Sequence, residues 1–229
     1  MSLKRISPPP SLAHLVAGQV REAIITGVLP LGENISEDRL VAQFGVSRTP
    51  VRDAMAILSS EGLVVVRPKR GSFVFETSLE DILQICDYRI VLETQAVRRA
   101  VGGARDAYLS ALEEVLMRMD TAFADEDHTR YDMLDTEFHR LAFDHCANSY
   151  LRDAYTLVAG RIAALRANLT AAHHERRVLS RQEHHQMHAY LAAGDFSAFD
   201  DLIGGHVRRT GDAYILALAE GQLGAPSAS

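Results

Sequence analysis

Gly45-Val46-Ser47-Arg48-Thr49-Pro50-Val51-Arg52-Asp53-Ala54-Met55-Ala56-Ile57-Leu58-Ser59-Ser60-Glu61-Gly62-Leu63 decides how the first third of this chain folds. Ser47 has the chemistry of an N-cap, with a hydroxyl able to accept a backbone N–H two or three residues on. Pro50 fits the first helical turn, which has no intrahelical use for the donor that proline lacks. Val51, Ala54, Met55 and Leu58 recur at helical spacing and predict an inward stripe. Arg48, Thr49 and Arg52 lie off that stripe, at the helix N-terminus. Free N–H groups and a partial positive charge there suit a phosphate or a base edge. Gly62 ends the helix, which has the character of one that reads DNA.

On the N-terminal side, Leu12, Leu15, Val16, Val20, Ala23 and Ile24 predict an amphipathic helix ending near Gly27, followed by the turn Leu29-Pro30-Leu31-Gly32. Ser36 caps a short helix whose first turn carries Glu37 and Asp38, acids that oppose the helix dipole favourably. Leu40, Val41 and Phe44 form its apolar side and Gly45 ends it, so helix, tight turn and helix follow in helix-turn-helix order. On the C-terminal side, Leu63-Val64-Val65-Val66 and Ser72-Phe73-Val74-Phe75 flank Arg67-Pro68-Lys69-Arg70-Gly71, a hairpin signal with a basic tip. Beside Arg48 and Arg52, that tip is expected to act as a wing touching the DNA backbone.

The net charge of −6 over 229 residues argues against a nucleic-acid partner until the chain is divided. Residues 1–75 hold 9 Lys+Arg and 6 Asp+Glu, whereas residues 76–229 hold 15 and 24. Such asymmetry predicts two domains with different partners. No run approaches the roughly 18 apolar residues of a membrane span. The Pro8-Pro9-Pro10 tract stands where a secretory signal would have its apolar core. Cys86 and Cys146 fall within helical patterns and are expected to be buried thiols, which together predicts a cytoplasmic protein.

From Ser78 onward the pattern is helical, with helices expected over residues 78–101, 105–124, 128–146, 149–170, 176–193 and 196–220. The breaks fall at Gly102-Gly103, Asp125-Glu126-Asp127, Asn148-Ser149, His173-His174 and Gly194-Asp195, and a Gly/Ala/Ser-rich tail from Gly221 is expected to fray. Short loops between helices predict an antiparallel bundle. The fold class is therefore mainly α: a winged helix-turn-helix domain over residues 1–76 and an all-helical effector-binding and dimerisation domain over residues 77–229.

Gly27, Gly32, Leu40, the run Gly45–Arg52, Glu61-Gly62-Leu63 and Arg70-Gly71-Ser72-Phe73-Val74 together resemble the winged-helix domain of GntR-family transcription regulators. The helical remainder resembles the FCD effector-binding domain of the FadR-like subgroup. The resemblance implies a sequence-specific regulator, expected to be a repressor, acting as a homodimer on a palindromic double-stranded operator. It assigns DNA contacts to Arg39, Ser47, Arg48, Thr49, Arg52, Lys69, Arg70 and Gly71. Asp38 departs from the pattern, standing where the FadR-type regulator has a DNA-contacting arginine, with Arg39 beside it.

Asp135 and His139 stand four apart on one helix, so their Cβ atoms lie about 5–6 Å apart on one face. Leu134, Phe138 and Ala142 beside them direct that face inward. Alone, such a pair is usually a solvated hydrogen-bonding pair. The resemblance implies a metal site of Asp135, His139, His184 and His206, as in the metal-binding branch of the domain. His185 and His188 stand near enough to substitute for His184. Three histidines and a carboxylate suit zinc, and also nickel or manganese. Arg89 sits in the apolar stripe Ile82, Ile85, Leu92 and Ala96, and needs either Glu93 one turn on or an anionic ligand. The functional expectation is a small organic acid held by the metal and by Arg89, with Arg161 at a comparable position. A hydrolase-type metalloenzyme and a regulator sensing the metal itself are the alternatives.

Overall fold

In the computed structural model, which describes residues 11–168, 174–221 and 223, the head opens with α1 (Leu12–Ile25), capped by Ser11. Its buried stripe is Ala13, Val16, Ala17, Val20 and Ile24. Leu12 and Leu15, expected in that stripe, are instead 56% and 54% exposed. The true stripe runs one position out of phase with them, through the small residues that let α1 lie close on its neighbour. The short strand β1 (Asn34–Ile35) precedes α2 (Glu37–Phe44), whose N-cap Ser36 accepts from the Arg39 amide at 3.2 Å.

Gly45, with φ 63°, takes the left-handed conformation that turns the chain into α3 (Arg48–Ser60). Val51, Ala54, Met55 and Leu58 are all buried, as the spacing predicts. Arg21 of α1 fixes the far end of α3, donating twice to the Glu61 carboxylate at 2.8 and 2.6 Å. β2 (Val64–Arg67) and β3 (Gly71–Val74) form the antiparallel wing, and β1 pairs with β3 to give the order β1-β3-β2. That third strand was too short to show in the sequence pattern.

α4 (Leu79–Ala124) begins at a capping box formed by Ser78 and Asp81. The break expected at Gly102-Gly103 is present as a kink, where two helical arms meet at the non-helical backbone of Ala104 (φ −144°, ψ 38°). α5 (His128–His145), α6 (Ser149–Ala167), α7 (His174–Ala193) and α8 (Phe196–Ala219) complete the bundle. Among the described residues the two arms of α4 and the four helices after it give the six helical segments expected. The breaks at residues 125–127, 148–149 and 194–195 lie as expected. α6 stops three residues short of the expected end, and residues 169–173, the Pro8–Pro10 tract and most of the tail lie outside the described residues.

α6 is also the bundle's contact with the head. The Leu31 amide donates to Asn168 Oδ1 at 3.3 Å, and the side chain of Leu63 packs against Gly160. Gly27, with φ 76°, lies so close to α6 that a Cβ there would stand 3.2 Å from the Ala167 carbonyl oxygen. Gly27→Ala should therefore destabilise the protein by about 1–2 kcal/mol through the left-handed backbone alone. Urea denaturation reads this as a lower midpoint; an unchanged midpoint would mean that the turn relaxes without strain.

Candidate functional site

The head presents its charged residues outward. Arg39, Ser47, Arg48, Thr49, Arg52, Lys69, Arg70 and Gly71 are all exposed, on α2, the start of α3 and the wing tip. Ser47 occupies the N-cap position with extended backbone, but its side chain makes no capping hydrogen bond. The expected cap is thus unmade, which leaves the hydroxyl free. Arg48 lies 3.0 Å from Asp38 and Arg52 lies 3.6 Å from Glu37. Both arginines are exposed in these pairs, which are worth little, so they orient the arginines without withholding them from a partner. Lys69 adopts φ 61° at the tip, aiming the wing's basic residues away from the sheet.

Inside the bundle, α5, α7 and α8 bring three histidines together. His139, His184 and His206 offer ring nitrogens that all lie within 4.8 Å of one another, and all three residues are buried. His139 Nδ1 shares a 2.8 Å hydrogen bond with Glu93, and His206 Nδ1 shares one of 2.8 Å with Glu183. Carboxylates bound to one imidazole nitrogen orient the other, the arrangement that metal-ligating histidines use. His139 Nε2 and both nitrogens of His184 are buried without a hydrogen-bond partner. Asp135 stands at the edge of this group of three, with Oδ1 3.7 Å from His184 Nε2 and Oδ2 3.9 Å from His139 Nε2. Buried nitrogens left unsatisfied are costly, and a divalent cation would answer them.

The electrostatics favour that chemistry. Burial lowers the proton affinity of all three imidazoles, to about 4 for His206 and well below the usual range for His184. They are therefore neutral at pH 7, which is the ligand form. Burial pushes Asp135 upward, but Arg166 and then the histidines outweigh it and hold the carboxyl below its ordinary range. Arg166 approaches Asp135 Oδ2 at 2.5 Å, a contact with the distance of an ion pair but not the angles of a hydrogen bond. His185 points outward to Asp120 at 3.0 Å, and so does not replace His184.

The structure gives both of the expected effector arginines a partner within the protein. Arg89 is buried and donates through Nε to Glu93, the carboxylate one turn on, at 2.8 Å, while its Nη2 is buried without a hydrogen-bond partner. Glu93, raised by burial but held down by Arg89 and His139 to about 2, serves both. Arg161 lies on the opposite side of α6, with its guanidinium 4.8 Å from the Phe75 ring centroid at the head contact. The arginine that reaches the site is Arg166. A cavity of about 380 Å³ opens beside the cluster, with Asp135, Arg166 and His206 in its wall and Arg89 outside it. Arg166 follows Ile162 and Leu165 at helical spacing, the same inward signature that singles out Arg89. Glu183 carried no comparable signal, since its role comes from a neighbouring helix.

The description "Bacterial regulatory proteins, gntR family" matches residues 12–74, and "FCD domain" matches residues 84–209. The uncharacterized HTH-type transcriptional regulator YdhC of Bacillus subtilis is 30% identical over 171 residues, covering 74% of this chain and 75% of that protein. The chain belongs to the GntR family. This GntR protein is also 31% identical over 136 residues to the gluconate operon transcriptional repressor of Bacillus licheniformis, covering 59% of this chain and 56% of that one. A GntR regulator from Rhodococcus sp. RHA1 superposes with a TM-score of 0.80 at 27% identity, over 91% of this chain and 99% of its own. McbR/YncC of Escherichia coli shares the fold, with a TM-score of 0.80 at 22% identity over 92% of this chain and all of that one. YdhC, the gluconate operon repressor and the Rhodococcus protein are named as transcriptional regulators, and the hydrolase alternative finds no counterpart among them.

As pH falls, an unfolded chain takes up protons at its histidines before buried His206 does. Stability should therefore be full above the ordinary imidazole pKa of about 6.5 and be lost toward about 4. Urea denaturation in the presence of a chelator should show a drop of about 2 kcal/mol between pH 7 and pH 5 from His206. A constant stability over that interval would mean that the histidines are not held neutral.

Proposed function

We propose that this GntR-family chain is a cytoplasmic one-component repressor that binds a palindromic operator as a homodimer and releases it on binding a small carboxylate. The observation that carries the reading is the set of three buried histidines and Asp135, with unsatisfied nitrogens, opening on a 380 Å³ cavity that also holds Arg166. Asp135, His139, His184 and His206 would hold one divalent ion, zinc by donor type, with nickel or manganese also suited. Bound there, the ion supplies an open coordination position for a ligand oxygen. Arg166, in place of Arg89 or Arg161, answers the acid's charge with a planar fork.

In the head, Arg48, Arg52, Ser47, Thr49 and Arg39 face the operator from the recognition helix and its neighbour. Lys69, Arg70 and Gly71 meet the DNA backbone from the wing. Two-fold symmetry of a homodimer then matches a two-fold symmetric operator. Coupling follows from α6, which carries Arg166 into the cavity and, two residues on, Asn168 to the Leu31 amide of the head. An acid that draws Arg166 from Asp135 shifts the last turn of α6, and with it the seat of the head. For regulation the acid must bind the two placements with different affinities.

Two variants test this together. Replacing Arg48 or Arg52 by alanine should weaken operator binding by about 1–3 kcal/mol per base-reading contact while leaving the helical domain's metal and acid binding intact. His139→Ala with His184→Ala should empty the protein of metal and abolish the acid response, yet bind operator normally. Elemental analysis and a salt-controlled DNA titration read both; a double variant that keeps its metal, or arginine variants with unaltered operator affinity, would overturn the proposal.

A further inference from the structure

α4 and α8 cross closely beside the histidine cluster, and the crossing aims two buried side chains at each other. The helices run antiparallel there: Ile82 and Cys86 lie beside Gly211, Cys86 Sγ is 3.7 Å from the Val207 carbonyl oxygen, and Arg98 pairs with Asp200. Gly211 permits the approach, since a Cβ at that position would stand 2.7 Å from Cys86 Sγ. Arg89 stands three residues after Cys86, and Tyr214 stands three residues after Gly211. Helical side chains lean toward the N-terminus of their own helix. In an antiparallel pair, that lean carries the Arg89 guanidinium and the Tyr214 phenol toward one another.

Both groups keep a donor without an acceptor. The Tyr214 hydroxyl is buried with no hydrogen-bond partner, and so is Arg89 Nη2. Burial raises the proton affinity of the phenol, with Arg166 and then Arg89 opposing it, and the hydroxyl stays protonated at neutral pH. The charges that act on it are Arg166, Arg89 and Asp135, which sets the hydroxyl at the metal end. Tyr214 lines the cavity together with Asp135, Arg166 and His206, whereas Arg89 stands behind the wall. Glu93 is engaged by Arg89, Asp135 lies against Arg166, and neither carboxylate hydrogen-bonds the phenol. The other phenol of the wall, Tyr131, is already committed, donating to the Arg177 carbonyl at 3.4 Å. A buried hydroxyl without an acceptor is costly to maintain, and an acceptor brought by a ligand removes that cost.

We infer that Tyr214 is a specificity-determining residue of the effector site, its hydroxyl donating to a carboxylate oxygen of the acid bound beside Arg166. This rests on the reading above that a carboxylate enters at the metal end, and it adds the donor that recognises it. A carboxylate offers only acceptors to the phenol and the guanidinium. A primary amide would set its own N–H groups against one of them.

Calorimetry on the zinc-loaded full chain with propionate, butyrate and benzoate tests the role. Tyr214→Phe should weaken acid binding about tenfold, the yield of one charge-assisted hydrogen bond. It removes only an unpartnered hydroxyl, so the variant should keep the parent's zinc content and urea midpoint. Tyr131→Phe is the control, because its hydroxyl is already spent on Arg177, and it should bind the acids as the parent does. Unchanged affinity of Tyr214→Phe for every acid that the parent binds overturns the inference and leaves the metal-end reading standing. A loss of affinity that comes with lost zinc or a lower midpoint also overturns it, since the hydroxyl would then be structural. If none of the three acids binds the parent, the carboxylate-effector reading falls and this inference with it.

Discussion

Glu93 is the carboxylate on which the interior of the helical domain depends. It accepts from Arg89 at 2.8 Å and meets His139 Nδ1 at 2.8 Å, all three groups being buried. Removing one partner of such a pair leaves an uncompensated charge, at about 3–5 kcal/mol. The apolar stripe of α4 can therefore carry Arg89 only because Glu93 follows one turn later. The same carboxylate fixes the orientation of His139, so that Nε2 turns toward Asp135 rather than toward α4. Glu183 does the corresponding work for His206 from α7. What faces the cavity is thus decided by hydrogen bonds made behind it.

α6 joins this interior to the DNA-reading head. One face carries Arg166 to Asp135, and the other carries Gly160, Arg161 and Asn168 to Leu63, Phe75 and Leu31. A rigid helix shared in this way transmits a displacement at one face to the other, because packed interfaces rearrange in steps rather than deform smoothly. Arg161 lies on that second face. Its cation–π contact with Phe75 makes it a fastening between the two domains.

The head was legible because its determinants are local. Capping residues, an αL glycine at position 45 and a four-residue apolar stripe in α3 lie within one short stretch, and the wing follows at once. Asp135 and His139 were legible for the same reason, being one turn apart. The remaining histidines needed the family resemblance, since their proximity is created by three helices. Arg166 escaped although its spacing matched that of Arg89, because spacing shows that a side chain points inward and not what it meets there. The pair Gly102-Gly103 was legible too: two poor helix formers stand where the first arm of α4 ends and the backbone leaves helical geometry at Ala104. Leu12 and Leu15 misled because hydrophobicity alone does not distinguish a buried stripe from an exposed one.

That a single ion sits among nitrogen and oxygen ligands in the helical domain is the claim from which effector binding and regulation follow. X-ray absorption at the metal edge of the purified full chain addresses it directly. The account predicts a shell of imidazole nitrogens and carboxylate oxygen at about 2.0–2.2 Å, with multiple-scattering features of three rings. A sulfur shell at about 2.3 Å would point to Cys86 or Cys146 instead, and a spectrum without imidazole scattering would contradict the account.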